Sequence, residues 1–163
     1  MLRAALATRV AALEALFRAI ADTRMSGVPV LNGALCVEAV GFASHAPEPG
    51  PDDGAIGILI TPWFMNLLRL PLVREDDVTR VGRSRSLTVG RERFDFIGAH
   101  EAAFGSFEAC SLFSPMFDFP DQAAARLTAV AVLSSLRVEP PEHAARPVQP
   151  ARRGFLFGRS GAR

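Results

Sequence analysis

Two apolar stretches, residues 57–68 and 105–117, constrain the fold of this chain most strongly. Each is interrupted by a proline, is rich in Met or Phe, and together they carry one charged side chain, that of Glu108. Stretches of this kind are buried in a core or against another chain. They supply no charged or nucleophilic pattern of the kind that an active site needs. They therefore favour a protein that binds another chain over an enzyme.

The first stretch predicts a strand followed by a short helix. Residues 56–61 have the character of a buried strand, and Pro62 ends it because proline has no amide hydrogen for a continued ladder. Proline suits the first turn of a helix, for which Thr61 is a candidate cap. We therefore expect a helix over 64–70.

Two longer helices are predicted at the ends of the folded region. Apolar residues recur at steps of four and three between Leu6 and Ile20, which predicts an amphipathic helix over residues 2–22. An Ala-rich segment that opens at Asp121 predicts a second helix to about residue 136. Four of its residues share one helical face: Ala123, Leu127, Val130 and Ser134.

The intervening segments predict strands because apolar residues alternate with polar ones between glycines. These strands cover residues 35–41, 87–89, 94–97 and 107–112. The order of helix, strands and helix predicts a single α+β domain over residues 1–137, in which both helices pack on a largely antiparallel sheet. Four prolines predict that residues 138–163 form an extended Pro-rich linker and an Arg/Phe C-terminal tail.

The composition excludes several kinds of chemistry. All 18 basic residues are Arg, so a mechanism that uses a lysine nucleophile is impossible, and a phosphate-binding loop of the G-x-x-x-x-G-K type is missing. A net charge of +1 provides no broad field for nucleic acid. Cys36 and Cys110 lie far apart and the histidines are dispersed, so we expect no metal and no cofactor. A small enzyme or redox protein that uses Cys110 remains an alternative, beside a packed and inert thiol.

Three segments together resemble a known family. They are I-T-P-W-F-M-N from Ile60, C-S-L-F-S-P from Cys110 and R-R-x-x-L-F-G from Arg152. In this order they resemble the HybE/HupJ-type nickel-iron hydrogenase assembly chaperones. The resemblance implies a chaperone, not an enzyme, that binds hydrogenase large or small subunit precursors in the bacterial cytoplasm. Other maturation proteins and the twin-arginine signal peptide of the small subunit are further candidate partners. A permanent structural subunit of the finished hydrogenase is a third interpretation.

The predicted partner-binding residues come from these segments. A short helix cannot bury all its sides, so we expect the first segment to face a partner and to approach the second segment across the sheet. Ordinary core packing is the alternative for each side chain. The predicted residues are Trp63, Phe64, Met65, Asn66, Leu67, Phe113, Met116, Phe117, Arg152, Arg153 and Phe155.

The tail imitates part of an export signal. Its sequence from Arg152 to Leu156 matches the R-R-x-F-L portion of a twin-arginine signal, but no long apolar run follows. One hypothesis is a pseudo-signal that occupies a peptide-binding surface until a client displaces it. Others are that its guanidinium groups engage the client's acidic surface, or that Phe155 and Phe157 dock on the core. Charges interrupt the N-terminal segment and no later run has membrane-spanning length, so we expect a cytoplasmic protein.

Overall fold

Six antiparallel strands and two helices organise the part of the chain that the computed structural model describes, residues 1–45 and 53–137. A 3₁₀ turn over Val78–Arg80 precedes the fourth strand. In chain order the elements are α1 (Leu2–Asp22), β1 (Glu38–His45), β2 (Gly54–Ile60), β3 (Met65–Pro71), β4 (Ser84–Val89), β5 (Glu92–Glu101), β6 (Gly105–Phe113) and α2 (Gln122–Arg137).

The strands form one sheet in the order β1-β2-β3-β6-β5-β4, and all neighbouring strands are antiparallel. The helix α1 packs on one face and α2 on the other. All seven residues of β2 are buried because helices cover both faces there. The predicted α+β class, with a largely antiparallel sheet and a helix at each end, is confirmed.

On one face, α1 covers an aromatic cluster. Leu13 and Phe17 are buried against Leu59 and Leu68 of the sheet. The Phe17 ring meets Phe107 edge to face at a centroid distance of 6.1 Å, a geometry that aromatic pairs prefer. The predicted range of residues 2–22 agrees with α1.

On the other face, α2 buries a row of small and branched residues, namely Ala125, Ala129, Leu133 and Leu136. The face that the sequence analysis singled out is the opposite one, since Leu127 is 71 % exposed and Val130 is 47 % exposed. Both faces of this helix are apolar, so composition does not distinguish the buried face from the exposed face.

The sheet curls around α2. The His45 side chain of β1 contacts the Thr88 carbonyl of β4 at 3.1 Å, although these strands lie at opposite ends of the strand order. The turn between β4 and β5 closes on the end of α2, where a Cβ on Gly90 would lie 1.7 Å from the Leu136 carbonyl oxygen. The rolled sheet therefore covers the buried face of α2 and closes on its C-terminal end, while the opposite face stays exposed.

The predicted helix over 64–70 is wrong, because this segment forms β3. The chain reverses at Pro62 and Trp63: the Thr61 amide donates to the Phe64 carbonyl at 2.8 Å, and the Thr61 hydroxyl accepts from the Phe64 amide at 3.0 Å. Thr61 therefore closes a hairpin and does not cap a helix. The strand predicted over 35–41 is displaced, since β1 begins at Glu38 and ends at His45.

Candidate partner-binding surface

The two apolar stretches meet at one end of the sheet. In the β3–β6 pairing, Met65 lies opposite Phe113, and the Ser114 hydroxyl donates to the Trp63 carbonyl at 3.5 Å. The expected approach of the two segments is therefore found. It arises from direct strand pairing, where the sequence analysis expected a helix beside a loop.

Asn32 fixes the loop that follows β6. Its side-chain amide donates to the Met116 carbonyl at 3.0 Å and to the Phe119 carbonyl at 2.9 Å, while its backbone amide donates to the Pro62 carbonyl at 2.8 Å. One residue thus joins the loop to the β2–β3 hairpin. Sequence reasoning missed this role because an Asn in a turn-rich segment gives no sign of which distant carbonyls it reaches.

The loop presents apolar side chains to solvent. Phe113 is 39 % exposed and Phe117 is 57 % exposed, with exposed Pro115 between them. The Phe113 ring packs edge to face on Phe119 at a centroid distance of 5.3 Å. We call Phe113, Pro115 and Phe117 the loop surface. This surface is apolar and exposed, and the hydrogen bonds of Asn32 hold its loop in place.

The other predicted residues of the two segments occupy different positions. Met65, Leu67 and Met116 have no exposed surface and pack in the core beside α2. Trp63 and Phe64 are half-buried and pack on the α1 side, where they contact Phe17. The sheet therefore separates these two aromatic residues from the core beside α2.

Asn66 is half-buried at a bulge in the β3–β6 pairing, opposite Ser111. Its Oδ1 atom is buried and has no hydrogen-bond partner among the described residues.

The predicted site residues Arg152, Arg153 and Phe155 lie outside the described residues.

A buried ionic network ties three strands together. Arg69 of β3 donates to the Glu108 carboxylate of β6 at 3.3 Å, and their side chains are 6 % and 8 % exposed. Arg85 of β4 donates to the same carboxylate at 2.6 Å through one nitrogen and makes a second contact through Nε. Sequence reasoning assigned no role to Glu108, because its partners are remote in the chain.

The surroundings of Cys110 disfavour nucleophilic chemistry. Burial raises the pKa of the half-buried Cys110 thiol, and the nearby Asp95 carboxylate raises it further. The thiol is therefore protonated at neutral pH, which disfavours the alternative of a cysteine nucleophile. No group of three His, Cys, Asp or Glu side chains that could hold a metal ion occurs within residues 1–45 and 53–137.

One cavity of about 430 Å³ lies beside the end of α2, and His45, Arg91 and Arg137 contribute to its lining. Burial lowers the pKa of His45, and the charge of Arg69 lowers it further, whereas the bond to the Thr88 carbonyl opposes this shift. Among residues 1–45 and 53–137, no carboxylate and no thiol lines this cavity, so the described lining does not supply the paired groups of a general acid–base or nucleophilic site.

Comparison with known proteins decides the family. The model of the family described as "[NiFe]-hydrogenase assembly, chaperone, HybE" matches residues 8–158. The chain belongs to this family. It is 50 % identical to Protein HoxT of Cupriavidus necator over 163 aligned residues, which cover 93 % of this chain and 89 % of the relative.

A second relative carries a functional name. The Hydrogenase expression/formation protein HupT of Azotobacter chroococcum is 39 % identical, over 91 % of this chain and 93 % of the relative. The solution structure of HybE from Escherichia coli has the same fold, with a TM-score of 0.57 at 20 % identity over 94 % of this chain and 91 % of that one. The resemblance seen in the sequence is confirmed.

The HybE family consists of hydrogenase assembly chaperones, so this protein is a chaperone and not an enzyme. Within the described part of the chain, neither helix combines the length and apolarity needed to cross a membrane.

Proposed function

We propose that this HybE-family protein binds immature nickel-iron hydrogenase subunits through the loop surface, in the cytoplasm and before metal insertion and folding are complete. The clients are the large and small subunit precursors, including the twin-arginine signal peptide of the small subunit. The observation that carries the proposal is the exposure of Phe113 and Phe117, at 39 % and 57 %, on a loop that Asn32 anchors.

The loop surface has the properties of a binding hot spot. Burying a Phe side chain fully contributes about 1.5–3 kcal/mol, so two half-exposed rings leave a large part of this free energy for a partner. The hydrogen bonds of Asn32 hold the loop before binding, which lowers the ordering cost of association. A few aromatic residues of this kind commonly dominate an interface.

Reversible binding is sufficient for the proposed mechanism. An unfinished subunit exposes apolar surface that a finished subunit buries, so the chaperone needs a higher affinity for the immature state. No nucleotide cycle is required, and the absence of lysine rules out a lysine-containing phosphate loop. Release follows when folding of the client covers the surface that the chaperone contacts.

The other predicted residues divide into contact and support roles within this proposal. Trp63 and Phe64 are partly exposed and could extend the contact around the end of the sheet. Met65, Leu67 and Met116 support the loop from the core and do not reach a partner in this conformation.

The proposal is tested by replacing Phe113 and Phe117 together with Asp. The matched control is Val73→Asp, since Val73 is 77 % exposed and lies among the residues around the start of α1. Binding of purified large and small subunit precursors is measured by calorimetry. We expect the double variant to lose at least about tenfold in affinity while the control keeps it. Equal affinity of both variants for the precursors would exclude the loop surface as the client-binding site.

Two further comparisons separate the clients and the rival interpretation. Small-subunit precursor with and without its signal peptide shows whether the peptide contributes to binding. Mature hydrogenase is purified in parallel, since a permanent structural subunit would copurify with it in fixed proportion. The substitutions in the binding test are placed at exposed positions, because Met116→Asp would bury a charge and unfold the protein.

A further inference from the structure

A segment near the end of the chain, residues 152–157, has the chemistry of a ligand for the loop surface. The segment from Arg152 to Phe157 combines two guanidinium groups with three large apolar side chains. The family match extends to residue 158, directly after this segment. The segment therefore belongs to the region that the family shares, although it lies far from the described domain in sequence.

The loop surface has a complementary acidic rim. Asp118 follows Phe117, is exposed, and has no hydrogen bond or ion pair within residues 1–45 and 53–137. Asp121 lies at the start of α2, where its carboxylate accepts from the Ala124 amide at 2.8 Å. Apolar rings next to a carboxylate that no other described residue engages match a segment that carries both arginines and aromatic residues.

The connecting chain is long enough to bring the two together. The chain leaves the domain at Arg137, whereas the loop surface adjoins the start of α2. The helix has 16 residues, which at about 1.5 Å each make it about 24 Å long. Residues 138–151, extended at about 3.1 Å each as in a Pro-rich segment, span about 43 Å. The exposed side chains of Leu127 and Val130 offer apolar contacts along this helix.

We propose that residues 152–157 dock on the loop surface of their own chain and that a client must displace them. Phe155 and Phe157 then cover Phe113 and Phe117, and Arg152 and Arg153 lie at the acidic rim. The part of this inference that concerns clients rests on the proposed function. The tail regulates access to the surface, and an immature subunit with a stronger apolar contact replaces it.

The expected effect on affinity is moderate. A short tether gives an effective concentration on the order of 1 mM, so a segment with an intrinsic Kd of about 0.1 mM occupies the surface about ten times more often than not. The apparent affinity for a client is reduced by the same factor, about tenfold. Docking of the tail therefore prevents weak apolar contacts at the loop surface but still permits binding of a client with high affinity.

The docking is tested without a client, by hydrogen exchange with mass spectrometry on the full chain. The test variant carries Phe155→Asp and Phe157→Asp, and the matched control carries Val148→Asp in the linker. We expect the amides of residues 112–119 to exchange faster in the test variant than in the natural protein and the control. Identical exchange in all three proteins would overturn the docking.

The acidic rim is tested by exchanging charges. Asp118→Arg is expected to increase exchange at the loop surface, and adding Arg152→Asp and Arg153→Asp to it is expected to restore protection. Failure of this restoration would remove the arginine contact from the proposal. Ultracentrifugation over a range of concentrations identifies the occupant, because protection that appears only with dimer formation would assign the tail to a second copy and overturn docking within one chain.

A binding measurement separates this inference from the proposed function. With a precursor that binds the natural protein, the Phe155→Asp, Phe157→Asp variant should bind about tenfold more tightly. Weaker binding would show that the tail contributes to the client contact and would overturn competition. If precursors bind equally well to the chain with and without Phe113 and Phe117, the proposed function fails, whereas the exchange result still decides whether the tail docks.

Discussion

The side-chain amide of Asn32 donates a hydrogen bond of 3.0 Å to the carbonyl oxygen of Met116, across 84 positions of sequence. Since the same amide also reaches Phe119, this one side chain orders the loop that carries Phe117. The position of the exposed Phe113 and Phe117 rings thus depends on the hydrogen bonds that Asn32 donates to the loop.

Replacing Asn32 with Ala is expected to lower the free energy of unfolding by about 1–3 kcal/mol, because the Phe119 carbonyl loses the donor from Asn32 and the Met116 carbonyl keeps only the Phe119 amide as a donor. It should also weaken client binding, since the loop is no longer ordered before association. Denaturant unfolding and calorimetry measure the two effects. Asn66→Ala is the control, because Asn66 Oδ1 already lacks a partner among the described residues, and it should cost less stability. Equal losses in both variants would contradict the anchoring role of Asn32.

The Glu108 network predicts a large loss of stability on neutralisation. Glu108→Gln leaves Arg69 and Arg85 facing a neutral amide inside the protein, and removing one member of a buried pair typically costs about 3–5 kcal/mol. The control is Arg18→Ala, since Arg18 is 57 % exposed in a surface pair with Glu14 and should cost less than about 1 kcal/mol. Urea unfolding at neutral pH measures both. A loss below about 1 kcal/mol in Glu108→Gln would show that the network contributes little.

The contact between Gly90 and α2 is tested with two glycines of similar backbone geometry. Gly27 and Gly90 have φ of 75° and 63°, so Ala at either site pays a left-handed penalty of about 1–2 kcal/mol. Only at Gly90 would the new Cβ meet a backbone carbonyl, at 1.7 Å from Leu136, whereas Gly27 has open space. We expect Gly90→Ala to be less stable than Gly27→Ala by about 1–3 kcal/mol. Equal melting temperatures for the two variants would exclude close packing of this turn on α2.

Thiol labelling tests the inert character of Cys110. Its raised pKa and partial burial predict slow alkylation at neutral pH, with a rate that increases as pH rises and the thiolate forms. Exposed Cys36 should react first. Mass spectrometry after iodoacetamide treatment gives both rates, and labelling in denaturant provides the control. Preferential labelling of Cys110 in the folded protein would revive the alternative of a cysteine-dependent enzyme.

The pH dependence of stability reports on His45. Since its pKa is lowered in the folded state, mainly by burial, the unfolded chain binds the proton more readily and acid weakens the fold. The stability contributed by neutral His45 is present above the unfolded pKa of about 6.5 and is lost as pH falls through the lower folded value. His45→Gln should therefore lose less stability than the natural protein between neutral and mildly acidic pH, measured by urea unfolding. An equal loss of stability in both proteins would contradict the contribution of His45 to the pH dependence.

Short-range patterns were sufficient for the helices and for the family. Apolar spacing along 2–22 predicted α1 because helical periodicity is a property of neighbouring residues. The segment over 64–70 was misassigned for a related reason. Helices cover both faces of β3, so five of its seven residues are apolar and the alternation that identifies a strand is missing. Thr61 and Pro62 are compatible with a helix start and with a hairpin, and only pairing with β2 and β6 selects the hairpin.

By itself, the amino-acid sequence determined the α+β class, both long helices and membership of a chaperone family, because each depends on local periodicity or on ordered motifs. The tertiary structure alone decided which apolar residues face solvent. Met116 is buried and Phe117 is 57 % exposed, although they are adjacent and equally apolar. The difference arises because Asn32 fixes the loop from 84 positions away, and contacts over such distances leave no pattern in the sequence.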